Sequence, residues 1–192
     1  MRILDLGCGT GDLALDAARQ LKGQGEVVGL DFSKNMLSIA RSRAEKQSIN
    51  EKGVLLRFEE RSAESIPFEA EPYDLVLSGF VLRNIHENID EILRGVYQSL
   101  KNGGAISFLD FTEPPGPVRK KIWQWYMNTV VALYGRLLFG KDFPLFYMTD
   151  SAARFLKAPE FAQKLRDTGF QNVTVQKFMM GVIVLYRAKK MV

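Results

Sequence analysis

The sequence predicts an α/β protein built on a mostly parallel, seven-stranded sheet with a C-terminal antiparallel hairpin and a helical insertion near residues 112–158. Three observations carry that expectation. Apolar, β-branched runs alternate with stretches of helical period, the pattern of a parallel sheet covered by helices. A glycine-rich turn, Gly7-Cys8-Gly9-Thr10-Gly11, follows the first such run. The last two strand-like runs are separated only by a Met-Met-Gly segment. That is too short for a parallel crossover, which needs roughly a dozen residues, so the pair must be a hairpin.

Taken in order, strands are expected at 2–6, 26–31, 54–60, 73–78 and 105–111, and the hairpin at 172–178 and 182–188. Helices are expected at 11–21, 33–46, 88–101, 118–138 and 159–167. The insertion opens with Pro114-Pro115-Gly116-Pro117 and is rich in aromatic residues, among them Trp123, Trp125, Tyr126, Tyr134, Phe143 and Tyr147. A doubly wound sheet does not need this segment for its core. Insertions near the carboxyl ends of strands commonly build the substrate side of a site. Ile122, Trp125, Tyr126, Thr129, Val130, Leu133 and Leu137 recur at helical spacing. Two readings stay open for them: a core-facing stripe, or a greasy channel for an apolar ligand with Arg119, Lys120 and Lys121 at a membrane surface.

Composition bounds the function classes. The 192 residues are 46% hydrophobic and 25% charged, as expected of a single domain, residues 1–192, that buries its own core. Lys and Arg number 26 against 22 Asp and Glu, giving a formal charge of +4. The basic residues are dispersed, with short clusters at Arg119-Lys120-Lys121 and Lys189-Lys190, and nucleic acid would call for a longer basic stripe. Cys8 is the single cysteine, so no intramolecular disulfide can form and a reducing, cytoplasmic compartment is expected. No run approaches the roughly 18 apolar residues of a spanning helix. The start, MRILDLG, reads as a core strand and not as a secretion signal.

The chemistry begins at Asp5-Leu6-Gly7-Cys8-Gly9-Thr10-Gly11-Asp12. Glycines permit a tight strand-to-helix turn and close backbone approach to a ligand. The spacing is G-x-G-x-G and not the G-x-G-x-x-G that seats a pyrophosphate on a helix N-terminus. Two carboxylates, Asp5 and Asp12, frame it. They suit a ligand with an ammonium and a sulfonium, such as S-adenosyl-L-methionine, with Asp5, Gly7, Gly9, Thr10 and Gly11 around it. Asp31 ends the second strand about twenty residues on, where a carboxylate can accept both ribose hydroxyls. Alternatively it caps the helix whose N-cap is Ser33. Phe32 and Met36 are placed as walls for the adenine, and Ser62-Ala63, after the third strand, at its edge. Gly79, closing the fourth strand, is assigned to the same cofactor site. No metal is expected.

These segments, with the Leu100-Lys101-Asn102-Gly103-Gly104 turn, resemble the successive motifs of Rossmann-like class I methyltransferases. The tract Phe80-Val81-Leu82-Arg83-Asn84-Ile85 resembles the F-G-L-R-N signature of the ubiquinone/menaquinone biosynthesis C-methyltransferases. Leu109-Asp110-Phe111, Tyr147-Met148-Thr149-Asp150-Ser151, Gly169-Phe170 and Gly181-Val182-Ile183 extend the match from Ile3 to about Lys189. Val81 stands where the family usually has Gly, Asn102 where it has Pro, and Leu145 where many members have Tyr. Members also carry an N-terminal region with a Tyr-Asp element before the first strand. This chain begins at that strand, so the resemblance implies an N-terminally truncated member.

The resemblance implies methyl transfer to a ring carbon of a prenylated quinol. A ring carbon becomes nucleophilic once a ring hydroxyl loses its proton, and Arg83, permanently charged, would hold the oxyanion. Asn84 would position the hydroxyl or a water. Alternatively Arg83 pairs with a carboxylate such as Glu87, and Asn84 caps the next helix. Phe80, Trp125 and Tyr147 are the candidate substrate contacts. His86 is a natural suspect for a general base, but its place just before a helix suits an exposed residue, and the family pattern puts no catalytic His there. Cys8, at a helix N-terminus, is either a thiol of lowered pKa or a small residue packed under the cofactor. A membrane-surface association and a homodimer complete the expected partners. The competing functions are methylation of another lipid or small molecule, and a non-catalytic binding module.

Overall fold

A computed structural model describes residues 1–21, 23–49, 53–66, 71–140 and 155–191 of the chain. The run Arg2–Leu6 forms β1, and all five of its residues are buried. A strand covered on both faces belongs at the centre of a sheet. β1 pairs in parallel with β2 (Gly25–Asp31) on one side and with β4 (Tyr73–Gly79) on the other. β3 (Val54–Glu60) lies outside β2 and shows the alternating burial of an edge strand. β5 (Leu100–Phe111) runs parallel to β4, and β6 (Gln171–Phe178) and β7 (Ile183–Lys189) form the antiparallel hairpin. Among the described residues the order across the sheet is β3-β2-β1-β4-β5-β7-β6. The chain reaches the far edge first and returns inside, so β7 alone opposes the other strands.

Helices cover both faces. α1 (Asp12–Gln20) and α2 (Lys34–Lys46) pack through Leu15 and Leu37 onto Ile3, Val27 and Leu56. On the opposite face α3 (Ile89–Ser99) and α6 (Ala158–Asp167) pack through Ile92, Leu93 and Phe161 onto Leu4, Phe108 and Tyr186. Alternate residues of β1 therefore feed two separate cores, as the period of a strand requires. The strand order reverses between β1 and β4, and in open α/β sheets a ligand crevice opens there, at the carboxyl ends of the strands.

The expected elements lie within a few residues of the observed ones, with three differences. β5 begins at Leu100, so the segment expected as a turn is its first part, with a register shift against β4 between Tyr73 and Leu75. The long helix of the insertion is α4 (Pro117–Tyr126), a π-helical turn (Met127–Val131) and α5 (Ala132–Phe139). The expected stripe is not core. Trp125 is 63% exposed and Leu137 76%, with Ile122 and Leu133 exposed as well. The buried side is Trp123, Met127 and Ala132, which cluster with Val182 and the half-buried Phe111. Helical period identifies an apolar face but not its partner, and the sheet had room only for the neighbouring face.

Candidate active site

Three glycines build the turn after β1. Gly7, Gly9 and Gly11 have φ of 69°, 53° and 82°, the left-handed region that side chains rarely enter. Gly7 has a second reason: a Cβ there would lie 2.5 Å from Val81 Cγ2, so the turns after β1 and β4 meet without room for a methyl. The loop is tied to its neighbour by Asp31. Its Oδ2 accepts the Gly9 N–H at 2.8 Å and its Oδ1 the Ser33 N–H at 2.9 Å. Ser33 Oγ accepts the Met36 N–H and caps α2. Ser33, and not Asp31, therefore caps α2, and since a carboxylate has about four acceptor positions of which the backbone fills two, Asp31 keeps acceptor capacity for a ligand.

A cavity of about 140 Å³ opens at the crevice, and it gathers Gly7, Asp31, Phe32, Ser62, Ala63 and Asn84. Leu30, Arg61, Val81 and Ile85 complete its wall. None of these four was a candidate site residue, although each adjoins one that was. Phe32 is 79% exposed, an apolar ring held at the cavity's rim. Gly9, Thr10 and Gly11 shape the turn without lining this cavity, and Met36 and Gly79 lie off its wall. Trp125 is exposed on α4 and also lies off it, while Tyr147 falls outside the described residues.

The two acids framing the glycines part company. Asp12 faces outward, where Arg43 Nη2 donates to its Oδ1 at 2.6 Å and Thr10 Oγ1 to its Oδ2 at 2.7 Å. The Arg43 bond, then the Thr10 bond, hold its carboxyl below the ordinary value. The expectation that Asp12 faces a cationic ligand is therefore corrected: Arg43 is the cation it meets. Asp5 is buried, and neither of its carboxylate oxygens has a hydrogen-bond partner among the described residues. Burial pushes its pKa up to about 7, the Ala14 backbone N–H opposes that rise, and the nearby charges of Asp31 and Asp12 add to it. Burial, then the charges of Asp5 and Asp31, also push the Cys8 thiol up, the opposite of an activated cysteine.

Beyond β4 the chain enters a strained corner. Phe80 has φ of 62°, its N–H donates to Leu109 O, and its ring lies 4.7 Å from that of Phe111. A short 3₁₀ turn, Leu82–Asn84, follows. Arg83 does not pair with Glu87 and does not line the cavity. Its Nη1 donates to Asp110 Oδ1 at 2.8 Å and to Phe80 O at 2.8 Å, its backbone N–H donates to Asp110 Oδ2 at 3.2 Å, and its guanidinium stands over the Phe111 ring. Burial raises the pKa of Asp110, and the Arg83 bond opposes that rise. The free cation expected to touch an oxyanion is thus an ion-paired one whose partner shares its charge. Asn84 is the residue of the pair that reaches the cavity. It does not cap α3, whose N-cap is Asn88. His86 donates from Nδ1 to Arg83 O at 3.0 Å and does not line the cavity. Among the described residues no cluster of His, Cys, Asp and Glu could hold a metal.

Solved structures share this fold. An S-adenosylmethionine-dependent methyltransferase from Methanosarcina mazei superposes with a TM-score of 0.67 at 19% identity, over all of this chain and 92% of that one. The [4+2]-cyclase SpnF superposes with a TM-score of 0.72 at 18% identity, over all of this chain and 75% of that one, so the fold alone does not fix an activity. Sequence relatives are more specific. The demethylmenaquinone methyltransferase of Lactiplantibacillus plantarum is 35% identical over 188 residues, covering 98% of this chain and 78% of that protein. A ubiquinone/menaquinone biosynthesis C-methyltransferase UbiE of Rhizobium etli is 31% identical over 190 residues, covering 99% and 72%. The model of the ubiE/COQ5 methyltransferase family matches residues 1–190. This chain belongs to the ubiE/COQ5 methyltransferase family.

Proposed function

We propose that this protein transfers a methyl group from S-adenosyl-L-methionine to a ring carbon of a prenylated quinol, a demethylmenaquinol or a related benzoquinol, in quinone biosynthesis. It is an S-adenosyl-L-methionine-dependent methyltransferase. The observation that carries the assignment of the site is the cavity between the β1 and β4 turns, where Asp31, Ser62-Ala63 and Asn84 meet. The cofactor fits the donor set. Asp31 keeps two acceptor positions for ribose hydroxyls, Ala63 leaves space at an adenine edge, and Phe32 can cover the ring. The buried carboxylate of Asp5, without a side-chain partner among the described residues, suits the cofactor's ammonium group. Once bound, the cofactor supplies an electrophilic methyl on a sulfonium.

The chain's own task is then to keep water out and to favour the quinol anion. Asn84 can donate its side-chain N–H to the ring oxygen as charge develops there. Arg83 stands behind the cavity wall, and its bonds to Asp110 and Phe80 O fix the turn that carries Asn84. The ring hydroxyl's proton leaves to water in this reading, since guanidinium has no acceptor site; once the methyl is on the ring carbon, that carbon's own hydrogen leaves as a proton to water and the ring oxygen takes a proton back, which restores the aromatic quinol.

The finer placement follows from the tail. No helix among the described residues is long and apolar enough to cross a membrane. The exposed stripe of α4 and α5, preceded by Arg119 and Lys121, suits a cytoplasmic enzyme resting on the inner face of a membrane. A homodimer is the competing occupant of that stripe, and sedimentation velocity would reveal it. The central test is single-turnover transfer from labelled cofactor to short-tailed demethylquinols with benzo- and naphthoquinol rings. Label on a ring carbon is the expected result, and Asn84→Ala should slow it by about 10²-fold, the scale for one donor to an oxyanion. A protein that binds the cofactor but methylates no quinol would refute the substrate assignment.

A further inference from the structure

We propose that the tip of the β6–β7 hairpin, residues 178–181, together with the lysine-lined cleft at its base, docks this protein on an anionic phospholipid bilayer. The proposal deepens the reading above that the acceptor carries an apolar tail, and rests on it. The first observation is strain. Met179 and Met180 have φ of 47° and 59°, two consecutive side chains in a region that favours glycine. Such a conformation is costly for L-residues and, where kept, commonly marks function. Here it displays two long apolar side chains to solvent: Met179 is 63% exposed and Met180 58%, and Phe178 before them is also exposed. A tight turn serving only to reverse the chain would not need methionine at either position.

The second observation is place. β6 runs in the same direction as β1 and β4, so its tip projects from the edge of the sheet that carries the cavity. The tip is joined to the insertion. A Cβ on Gly181 would lie 2.9 Å from Pro115 Cδ, and Val182 clusters with Trp123 and Met127 of the helical insertion. The third observation is charge. A cleft of about 320 Å³ at the base of the tip is lined by Lys157 and Lys177, with Thr112, Pro115 and Gly181. Neither lysine has an acidic side-chain partner among the described residues, whereas Glu113 in the same cleft is paired with Lys120 at 2.6 Å. Glu160 accepts the Lys157 backbone N–H. Two ammonium groups without an acidic side-chain partner among the described residues, beside an exposed apolar tip, complement a bilayer whose phosphates lie just above its acyl chains.

The test is sedimentation with phosphatidylcholine vesicles, with and without phosphatidylglycerol. The wild type should bind the anionic vesicles preferentially. M179G/M180G should keep or raise Tm, because glycine relieves the left-handed backbone, yet bind about tenfold more weakly, as expected for withdrawing two methionines from an apolar phase. K157E/K177E should lose at least about 25-fold on phosphatidylglycerol vesicles and little on neutral ones, at roughly fivefold for each lysine charge removed. Transfer to a short-tailed demethylquinol without lipid should be unchanged in both variants. A wild type that ignores charge, or a tip variant that binds like the wild type, overturns the proposal. So does a tip variant that melts well below the wild type, since the methionines would then serve the fold. A wild type that dimerises through the tip and never sediments with vesicles overturns it in favour of a second copy. Failure of lipid-free transfer in the wild type would instead strike the assigned function, which the vesicle result does not touch.

Discussion

Asp5 and Asp110 are both buried acids on interior strands of one sheet, and they have opposite surroundings. Asp110 accepts three hydrogen bonds, two of them from Arg83, so its charge is answered inside the protein. Asp5 has no side-chain partner among the described residues, only the Ala14 backbone N–H opposes its burial, and its carboxyl is pushed up to about 7. A buried charge that is paired serves the fold, whereas one without a partner costs stability and is kept where a ligand answers it. The β5 side of the crevice is thus finished framework. The β1 side keeps a buried carboxylate with no side-chain partner among the described residues.

The largest effect should come from breaking the finished side. Arg83→Ala strands the Asp110 charge in the core and should cost about 3–5 kcal/mol of stability by denaturant titration. Replacing both residues by leucine should restore most of that loss. A singly substituted protein with wild-type stability would place Arg83 back in the chemistry as a free cation.

Next comes Asp5. Its pKa is raised from 3.8 to about 7 on folding, so between those values the folded chain holds a proton that the unfolded chain has released. Stability should therefore fall as pH rises from about 4 to about 7, by up to ~4 kcal/mol, and level off above that. Asp5→Asn should abolish the slope, and bound S-adenosyl-L-methionine should flatten it by placing a cation beside the carboxylate. A wild-type profile without slope would mean that Asp5 has a partner after all.

A smaller loss is expected at Asp31. Asp31→Ala should weaken S-adenosyl-L-methionine binding by on the order of 1.5–3 kcal/mol in calorimetric titration, the scale of hydrogen bonds to a charged group. Part of that loss comes through the Gly9 N–H that Asp31 holds. Binding of NADH in place of S-adenosyl-L-methionine would overturn the cofactor assignment. The smallest effect belongs to Asp12→Asn. Its partner Arg43 is solvent-exposed, and cofactor affinity should hardly change, because exposed ion pairs contribute little. A large loss of affinity there would erase the distinction between the two framing acids.

Local rules made much of this protein readable from its sequence alone. Strand and helix periods located nearly every described element, and the short Met-Met-Gly link required an antiparallel pair. Glycine spacing marked the turn after β1, and Asp31 was legible because the acid that ends the second strand of such a unit stands about twenty residues past the glycines. Those features depend on neighbours in sequence. What depends on neighbours in space was decided only by the tertiary structure. Asp5 and Asp12 are equivalent in the motif, yet one side chain enters the core and the other meets Arg43 from α2. Arg83 reads either as a cation for an oxyanion or as the partner of a nearby carboxylate such as Glu87, until β5 brings Asp110 beneath it, 27 residues away. The stripe on the insertion reads equally as core or as an exposed apolar face until the sheet takes the neighbouring face of the helix. In each case the local residue pattern sets what a side chain offers, while the partner that uses it is supplied by a distant strand or helix, which no periodicity encodes.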